Sequence, residues 1–386
     1  MDFEYTEAQK QIRTMVREFA VNEVAPGAEE RDRTGEFDYG LWKKLGDLGI
    51  IGINLPPEVG GSGSGLLAFC LAVEELSRVD ASLGVTLLVS EGAAHAILDH
   101  SLKKMNSWID KYIKPIIAGE AFGCTAITEA EAGSNTAAIQ TQAKPDGNMR
   151  VINGSKVFIT NAGLKNCLFV SPIVVTDKAT MEFSLIFVPT GTPGYTIMPK
   201  YRKMGWKSSD TRELHFDDCK VPEENIIGEK GAGRGKVIRE GFSQVRTISA
   251  SSALGIHQAC IDESLKYAKE RVVFGKPIGK KQFIQQMVCD MVLEAEMGRL
   301  LRDKAAKMTE LVELGSSQLM YWSSLAKWFT CDAANRAAYS ATQIYGGLGV
   351  MDECAVSRYY RDVRTWTIGD GSSEIQKMIV ARELGL

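Results

Sequence analysis

The chain has 386 residues, 45% of them hydrophobic and 24% charged, with a formal net charge of -3. That length exceeds what a single core usually organises, so two or three domains are expected. The slight acidity argues against a nucleic-acid partner, which a strong basic surplus would attract.

No apolar run approaches the roughly 18 residues that a membrane helix needs. The opening MDFEYTEAQKQIR lacks the apolar stretch of a secretion signal. It also lacks the acid-poor, Arg- and Ser-rich character of a transit segment. A cytoplasmic location is expected, although an organellar protein trimmed to its mature form would read the same. The eight cysteines show no CxxC pairing, as expected of reduced, mostly buried thiols. His95, His100, His215 and His257 lie outside any HExxH or Cys/His cluster, so no metal site is expected. His95 and His100 can share a helix face. Neither a GxSxG elbow nor a GxxxxGK[ST] phosphate loop occurs.

The predicted elements begin with helices over residues 6–21, 39–48, 66–77 and 103–117, where apolar residues recur at helical spacing. Thr6 is placed to cap the first. Between the second and third lies Leu55-Pro56-Pro57-Glu58-Val59-Gly60-Gly61-Ser62-Gly63, which Pro and Gly keep from helix. Near Ala121 the texture changes. Residues 151–159, 168–175 and 183–188 read as short antiparallel strands, with turns expected at Asp146-Gly147, Asn153-Gly154 and around 191–194. From Val237 onward long helical periodicity returns. The division is therefore helical (1–120), β (121–232) and helical (233–386), and clefts between such domains favour cofactors.

Four stretches can carry chemistry. Residues 126–135, Ala-Ile-Thr-Glu-Ala-Glu-Ala-Gly-Ser-Asn, give a small-residue loop whose N–H groups can meet phosphate; a plain solvent loop reads the same. In residues 271–278, Arg271 and Phe274 can combine a phosphate grip with a ring contact. The competing reading ends a helix at Gly275, with Pro277 beyond. In Gln343-Ile344-Tyr345-Gly346-Gly347-Leu348-Gly349 the glycines end a helix and free backbone amides. Lastly, Asp370 lies uncrowded between Gly369 and Gly371, and Ser372 can cap the helix after it.

In this order and spacing, the four stretches resemble the acyl-CoA dehydrogenase family. The likeness also includes Pro57-Glu58-Val59-Gly60-Gly61, Phe158-Ile159-Thr160-Asn161, residues 216–222 (Phe-Asp-Asp-Cys-Lys-Val-Pro), Tyr360-Arg361-Asp362 and Ala381-Arg382-Glu383. It runs from residue 3 to the C-terminus. It implies an α+β multidomain fold: an N-terminal helical domain, a middle β-barrel and a C-terminal four-helix bundle, assembled as a homotetramer. It further implies FAD as cofactor, an acyl-CoA thioester as substrate and an electron-transfer flavoprotein as acceptor.

Motif by motif, Ile127, Thr128, Ser134, Phe158 and Thr160 resemble contacts to the flavin ring and pyrophosphate. Phe158 stands where many members have Trp. Arg271, Phe274 and Gln282 resemble a grip on the adenosine diphosphate of a neighbouring subunit's FAD. Gln343, Gly346, Gly347 and Ser372 resemble further FAD contacts, and Ser134 and Arg246 contacts to CoA. The resemblance implies removal of the proton alpha to the thioester by a base, while hydride leaves the beta carbon for flavin N5.

The segment that usually reads Tyr-Glu-Gly-Thr in the family is Gly369-Asp370-Gly371-Ser372 here. Asp is shorter than Glu by one C–C bond, about 1.5 Å, and a misplacement of about 1 Å can cost a hundredfold in rate. Loss of the Tyr ring and the shorter base both enlarge the pocket beside Gly369 and Gly371. Val245, at the alternative base position of some members, cannot serve. Glu91 aligns with the floor of the acyl pocket; it reads either as a helix-terminal or exposed Glu or as a second base. This pattern resembles the alicyclic branch, acting on cyclohexane- or cyclohexene-carboxyl-CoA, where Glu91 would permit 1,4-elimination. Two other readings remain: a flavoprotein that binds acyl-CoA without oxidising it, and an oxidase passing electrons to oxygen.

Overall fold

The structure, a computed structural model, describes residues 4–233 and 238–386. The N-terminal segment is helical. In α1 (Glu7–Phe19), Thr6 and Gln9 form a reciprocal capping box. There follow α2 (Ala28–Thr34), α3 (Tyr39–Asp47), capped by Asp38, and α4 (Gly65–Ser77).

Next comes α5 (Ala81–Lys103), which the hydrophobic pattern does not announce. Its buried residues lie on every side, so no apolar stripe of helical period exists to be read. Asp80 marks its start, its carboxylate accepting from the N–H groups of Ser82 and Leu83. By length and mean hydropathy (1.4) α5 would suit a membrane, yet 78% of that stretch is buried inside the protein as a core helix. The helix expected over 103–117 is replaced by the end of α5, a π-turn at Ile109–Ile113 and the short α6 (Lys114–Ile117).

The middle segment is one nine-stranded sheet: β1 (Phe122–Ala126), β2 (Gln142–Asp146), β3 (Met149–Thr160), β4 (Cys167–Asp177), β5 (Glu182–Ile186), β6 (Val188–Pro189), β7 (Tyr195–Ile197), β8 (Thr211–Pro222) and β9 (Ile226–Ile227). Its order is β7-β8-β3-β2-β4-β5-β9, with β1 and β6 also pairing with β4. Asp146 pairs with Met149 across the expected tight turn, with Gly147 at φ +62°. Asn153-Gly154 is not a turn. It lies inside β3, where the pairing with β8 slips between Ile152 and Gly154. A Cβ at Gly154 would fall 2.5 Å from Thr141 Oγ1, so close approach of the chain explains the glycine.

The C-terminal segment holds α7 (Ile238–Glu270), α8 (Gln282–Met308), α9 (Ser317–Tyr345), α10 (Ala355–Trp366) and α11 (Ser373–Glu383). Between α7 and α8 stands a hairpin of β10 (Val272–Val273) and β11 (Lys276–Pro277). Here the helix-stop reading of Gly275 fails. The helix ends at Glu270, and Phe274 (φ +54°) with Gly275 (φ +73°) forms the two-residue hairpin tip.

One apolar core runs continuously from Val16 to Trp366 through all three segments. Polar contacts add to it. Glu74 on α4 receives Arg299 and Arg302 from α8, and Glu75 receives Arg13 and Arg17 from α1. The helices α4 and α7 touch so closely that a Cβ at Gly255 would lie 2.2 Å from the Glu74 carbonyl.

Candidate active site

The loop from α10 to α11 is tightly shaped. Asp370 adopts φ +54° and Gly371 φ +87°. Asp tolerates the left-handed region better than most residues, and Gly is indifferent to it. The Asp370 carboxylate is half-buried and accepts a hydrogen bond at Oδ2 from Ser249 Oγ on α7, 2.7 Å away. Burial raises its pKa above the ordinary value, while Ser249, Lys327 and Arg246 oppose the rise.

Arg246 lies one turn before Ser249 on α7 and is itself buried. Its guanidinium donates to Met320 Sδ at 3.1 Å, and its Nε has no hydrogen-bond partner among the described residues. Burial pushes its pKa down to about 10, with Arg382 adding repulsion and Asp370 opposing. Gly369 faces Trp206 from the middle segment: a Cβ there would sit 3.9 Å from the indole and 3.5 Å from the Thr365 carbonyl. Trp206 packs edge-on against Trp366 at 4.5 Å. Elements from the β segment, α7, α9 and the α10–α11 loop therefore converge at Asp370.

Glu91 is neither helix-terminal nor exposed. It lies in the middle of α5 with 2% exposure. Asn54 Nδ2 donates to its Oε1 at 2.9 Å, and His95 Nδ1 lies 3.6 Å from the same oxygen, one turn along the helix. The His95 pKa is raised: burial alone would lower it, and the Glu91 carboxylate outweighs that. No hydrogen bond joins Glu91 to Asp370 among the described residues.

The expected cofactor residues lie at five separate places in the fold. Ile127, Thr128 and Ser134 belong to the loop after β1. Lys156 Nζ donates to the Ile127 carbonyl (3.0 Å), and the Val157 N–H donates to that of Thr128 (2.9 Å), while Ser134 is exposed. Glu129 anchors the loop from below. Its buried carboxylate accepts from the N–H groups of Gln140 and Thr141 and from Lys156 Nζ. Phe158 and Thr160 come from β3, where pairing slips a second time between Lys156 and Ile159. That irregularity turns Phe158 to φ +61° and leaves its ring 66% exposed, 5.5 Å from Tyr201.

Arg271, Phe274 and Gln282 surround the α7–α8 hairpin, all exposed, with Phe274 at 92%. Gln343 is exposed near the end of α9. Gly346 (φ +63°) and Gly347 follow, with nothing within 4 Å of where a Cβ would stand. Ser372 is partly engaged as the cap of α11, accepting from the Ile375 N–H at 3.4 Å.

Models of the acyl-CoA dehydrogenase N-terminal, middle and C-terminal domains match residues 6–120, 124–219 and 233–385. The chain belongs to the acyl-CoA dehydrogenase family. A probable acyl-CoA dehydrogenase, YngJ, of Bacillus subtilis is 38% identical over the full length of both chains. The butyryl-CoA dehydrogenase structure from Megasphaera elsdenii superposes with a TM-score of 0.93 at 34% identity, covering 100% of each chain. A structure described as an electron transferring flavoprotein of Acidaminococcus fermentans gives a TM-score of 0.93 at 36% identity, covering 100% of this chain and 99% of the other.

The protein is thus an FAD-dependent acyl-CoA dehydrogenase, an oxidoreductase of CH–CH bonds. Its residues fit the cofactor. An exposed aromatic ring held out by a bulge suits a flat isoalloxazine, and an open loop with small residues suits a pyrophosphate.

Three residues of this dehydrogenase's site escaped the sequence reading, Ser249, Lys327 and Trp206, while Glu129 figured there only as part of its loop. Lys327 alone left a readable trace, a single Lys within the apolar Leu325-Ala326-Lys327-Trp328-Phe329 of a core helix.

Proposed function

We propose that this dehydrogenase oxidises a bulky or alicyclic acyl-CoA, of the cyclohexane- or cyclohexene-carboxyl class. The opening at Gly369 carries this reading. A Cβ there meets only ordinary contacts, with Trp206 and Thr365, so the glycine leaves free the space that a side chain would fill beside Asp370.

In this reading Asp370 is the base for the proton alpha to the thioester. Ser249 holds Oδ2, leaving Oδ1 to receive the proton, and burial raises the proton affinity of the carboxylate. Bound FAD supplies the hydride acceptor. Ile127, Thr128, Ser134, Phe158, Thr160, Gln343, Gly346, Gly347 and Ser372 would hold it, with Arg271, Phe274 and Gln282 reaching from a second copy. Ser134 and Arg246 would contact CoA. The name attached to the A. fermentans structure supports an electron-transfer flavoprotein as acceptor.

The burial of Glu91 favours a second reading. A carboxylate with 2% exposure, held by Asn54 and His95, suits a base for the remote proton of a cyclohexenoyl thioester, giving 1,4-elimination.

Anaerobic flavin bleaching across straight-chain, saturated-ring and unsaturated-ring acyl-CoA esters tests both readings. Preference for rings supports the alicyclic reading; equal or better bleaching by straight chains refutes it. Asp370→Ala retaining full activity while Glu91→Gln loses it selects the second reading, and the reverse eliminates it. A yellow protein bleached by none of these esters is a non-catalytic binder, and substrate-dependent peroxide release marks an oxidase.

A further inference from the structure

Lys327 of α9 is fully buried, yet no carboxylate pairs with it among the described ion pairs. Its Nζ donates instead to three main-chain carbonyls: Trp366 (2.7 Å), Gly369 (2.9 Å) and Gly371 (2.6 Å). Three acceptors use all three N–H bonds of an ammonium. Charge-assisted bonds of this length are among the stronger hydrogen bonds available to a protein. They flank Asp370 on both sides, and the Trp366 carbonyl also ends α10, where a cation is favourable. Gln376 of α11 completes the grip, its amide donating to the carbonyls of Gly371 (2.9 Å) and Asp370 (3.4 Å).

We propose that Lys327 is a positioning residue for the reaction: its ammonium clamps the carbonyls around Asp370, fixes the left-handed turn that aims the carboxylate, and supplies the buried positive charge that lets that carboxylate ionise. The inference rests on the reading of Asp370 as base. A buried ammonium without an anion is costly, and Lys327 favours the charged form of Asp370. Among the described residues, the groups facing Asp370 are few. Arg246 and Ser249 come from α7, Lys327 and Cys331 from α9, and Gln376 from α11. Arg246 is the other cation acting on it, so removal of Lys327 shifts the ionisation of Asp370 without abolishing it.

The test uses purified FAD-loaded Lys327→Met and Lys327→Gln, following flavin bleaching by a substrate of the wild type as a function of pH. Met removes both charge and donors; Gln keeps two donors and no charge. Expected for Met is a loss of about a hundredfold in bleaching rate, the scale of a misplacement of about 1 Å. Its acid limb moves up by about one pH unit, and acyl-CoA affinity changes less than threefold. Gln shows the same shift of the limb with a smaller loss of rate. Methylammonium restores part of the rate in Lys327→Ala. Combining Lys327→Met with Asp370→Asn adds no further loss if Lys327 acts through Asp370. If Asp370→Asn retains wild-type rate, the base assignment has failed. If Asp370→Asn is inactive while Lys327→Met keeps the wild-type limb and rate, the Lys327 proposal alone has failed. If neither Met nor Gln retains flavin, Lys327 is a folding residue and the proposal is overturned.

Discussion

At Asp370, one C–C bond sets the reach of the side chain. Asp370→Glu extends it by about 1.5 Å toward the acyl group. The expected outcome is a fall of about a hundredfold in kcat/KM for ring substrates, with a relative gain for straight chains; steady-state assays on the substrate panel check it.

Asp362 offers a separate handle. Burial pushes its pKa from 3.8 up to about 7, although its carboxylate accepts from the Trp206 N–H at 2.6 Å. Between these values the folded state holds a proton that the unfolded chain has released. Stability is therefore highest below about pH 4 as far as this group is concerned and falls as pH rises to about 7, by up to about 1.4 kcal/mol per unit. Asp362→Asn keeps the acceptor and should flatten that part of the stability curve, measured by denaturant unfolding from pH 4 to 7.

Both aspartates stand out in the sequence as residues, since glycines flank one and Tyr360-Arg361 precede the other. Their burial does not, because it is made by Trp206, Trp366 and Ser249, which come from distant parts of the chain. Glu91 shows the same limit. Its expected exposure follows from an average over glutamates, whereas Asn54 and His95 provide for this one.

Among the elements, legibility follows period and capping. The helix α1 is visible because Thr6 and Gln9 box its start and one face alone is apolar. The helix α5 is hidden because its neighbours surround it. In β3 the alternation survives two slips of register, so a strand is legible there while the outward turn of Phe158 is not. The loop after β1 is visible by composition, but its anchor looks like any surface acid. Glu129 in fact accepts three hydrogen bonds, one of them from Lys156, and these, with the Lys156 charge, hold its pKa below the usual range despite burial. Glu129→Ala leaves Lys156 buried without a carboxylate, held only by the Ile127 carbonyl. It is expected to cost about 3 kcal/mol and to weaken flavin retention, checked by chemical denaturation and by flavin absorbance after dialysis.

Across the whole molecule, the three segments share one core, and their junctions are set by small residues. Gly255→Ala would place a methyl 2.2 Å from the Glu74 carbonyl and should cost about 1–3 kcal/mol, measured by thermal and denaturant melts. The outer face of α8 is apolar where water would favour charge. Phe283, Leu293, Met297 and Leu300 are each 44% exposed or more, and Phe274 stands at the hairpin beside it. Such a face fits the proposed association of copies. Leu293→Lys with Leu300→Lys should reduce the mass found by light scattering and release flavin, because Arg271, Phe274 and Gln282 are then parted from the site they would complete. That face is only partly legible, since apolar residues on a helix read equally as core. The grip of Lys327 and Gln376 has an evolutionary corollary. It takes hold only of main-chain oxygens, which every amino acid carries, so the turn forms a socket largely indifferent to the side chains seated in it. Position 369 can then change its side chain while the frame around it stays intact, whereas the left-handed φ of Asp370 narrows what that position accepts. One ancestral scaffold could diversify its chemistry at that spot in small, individually survivable steps.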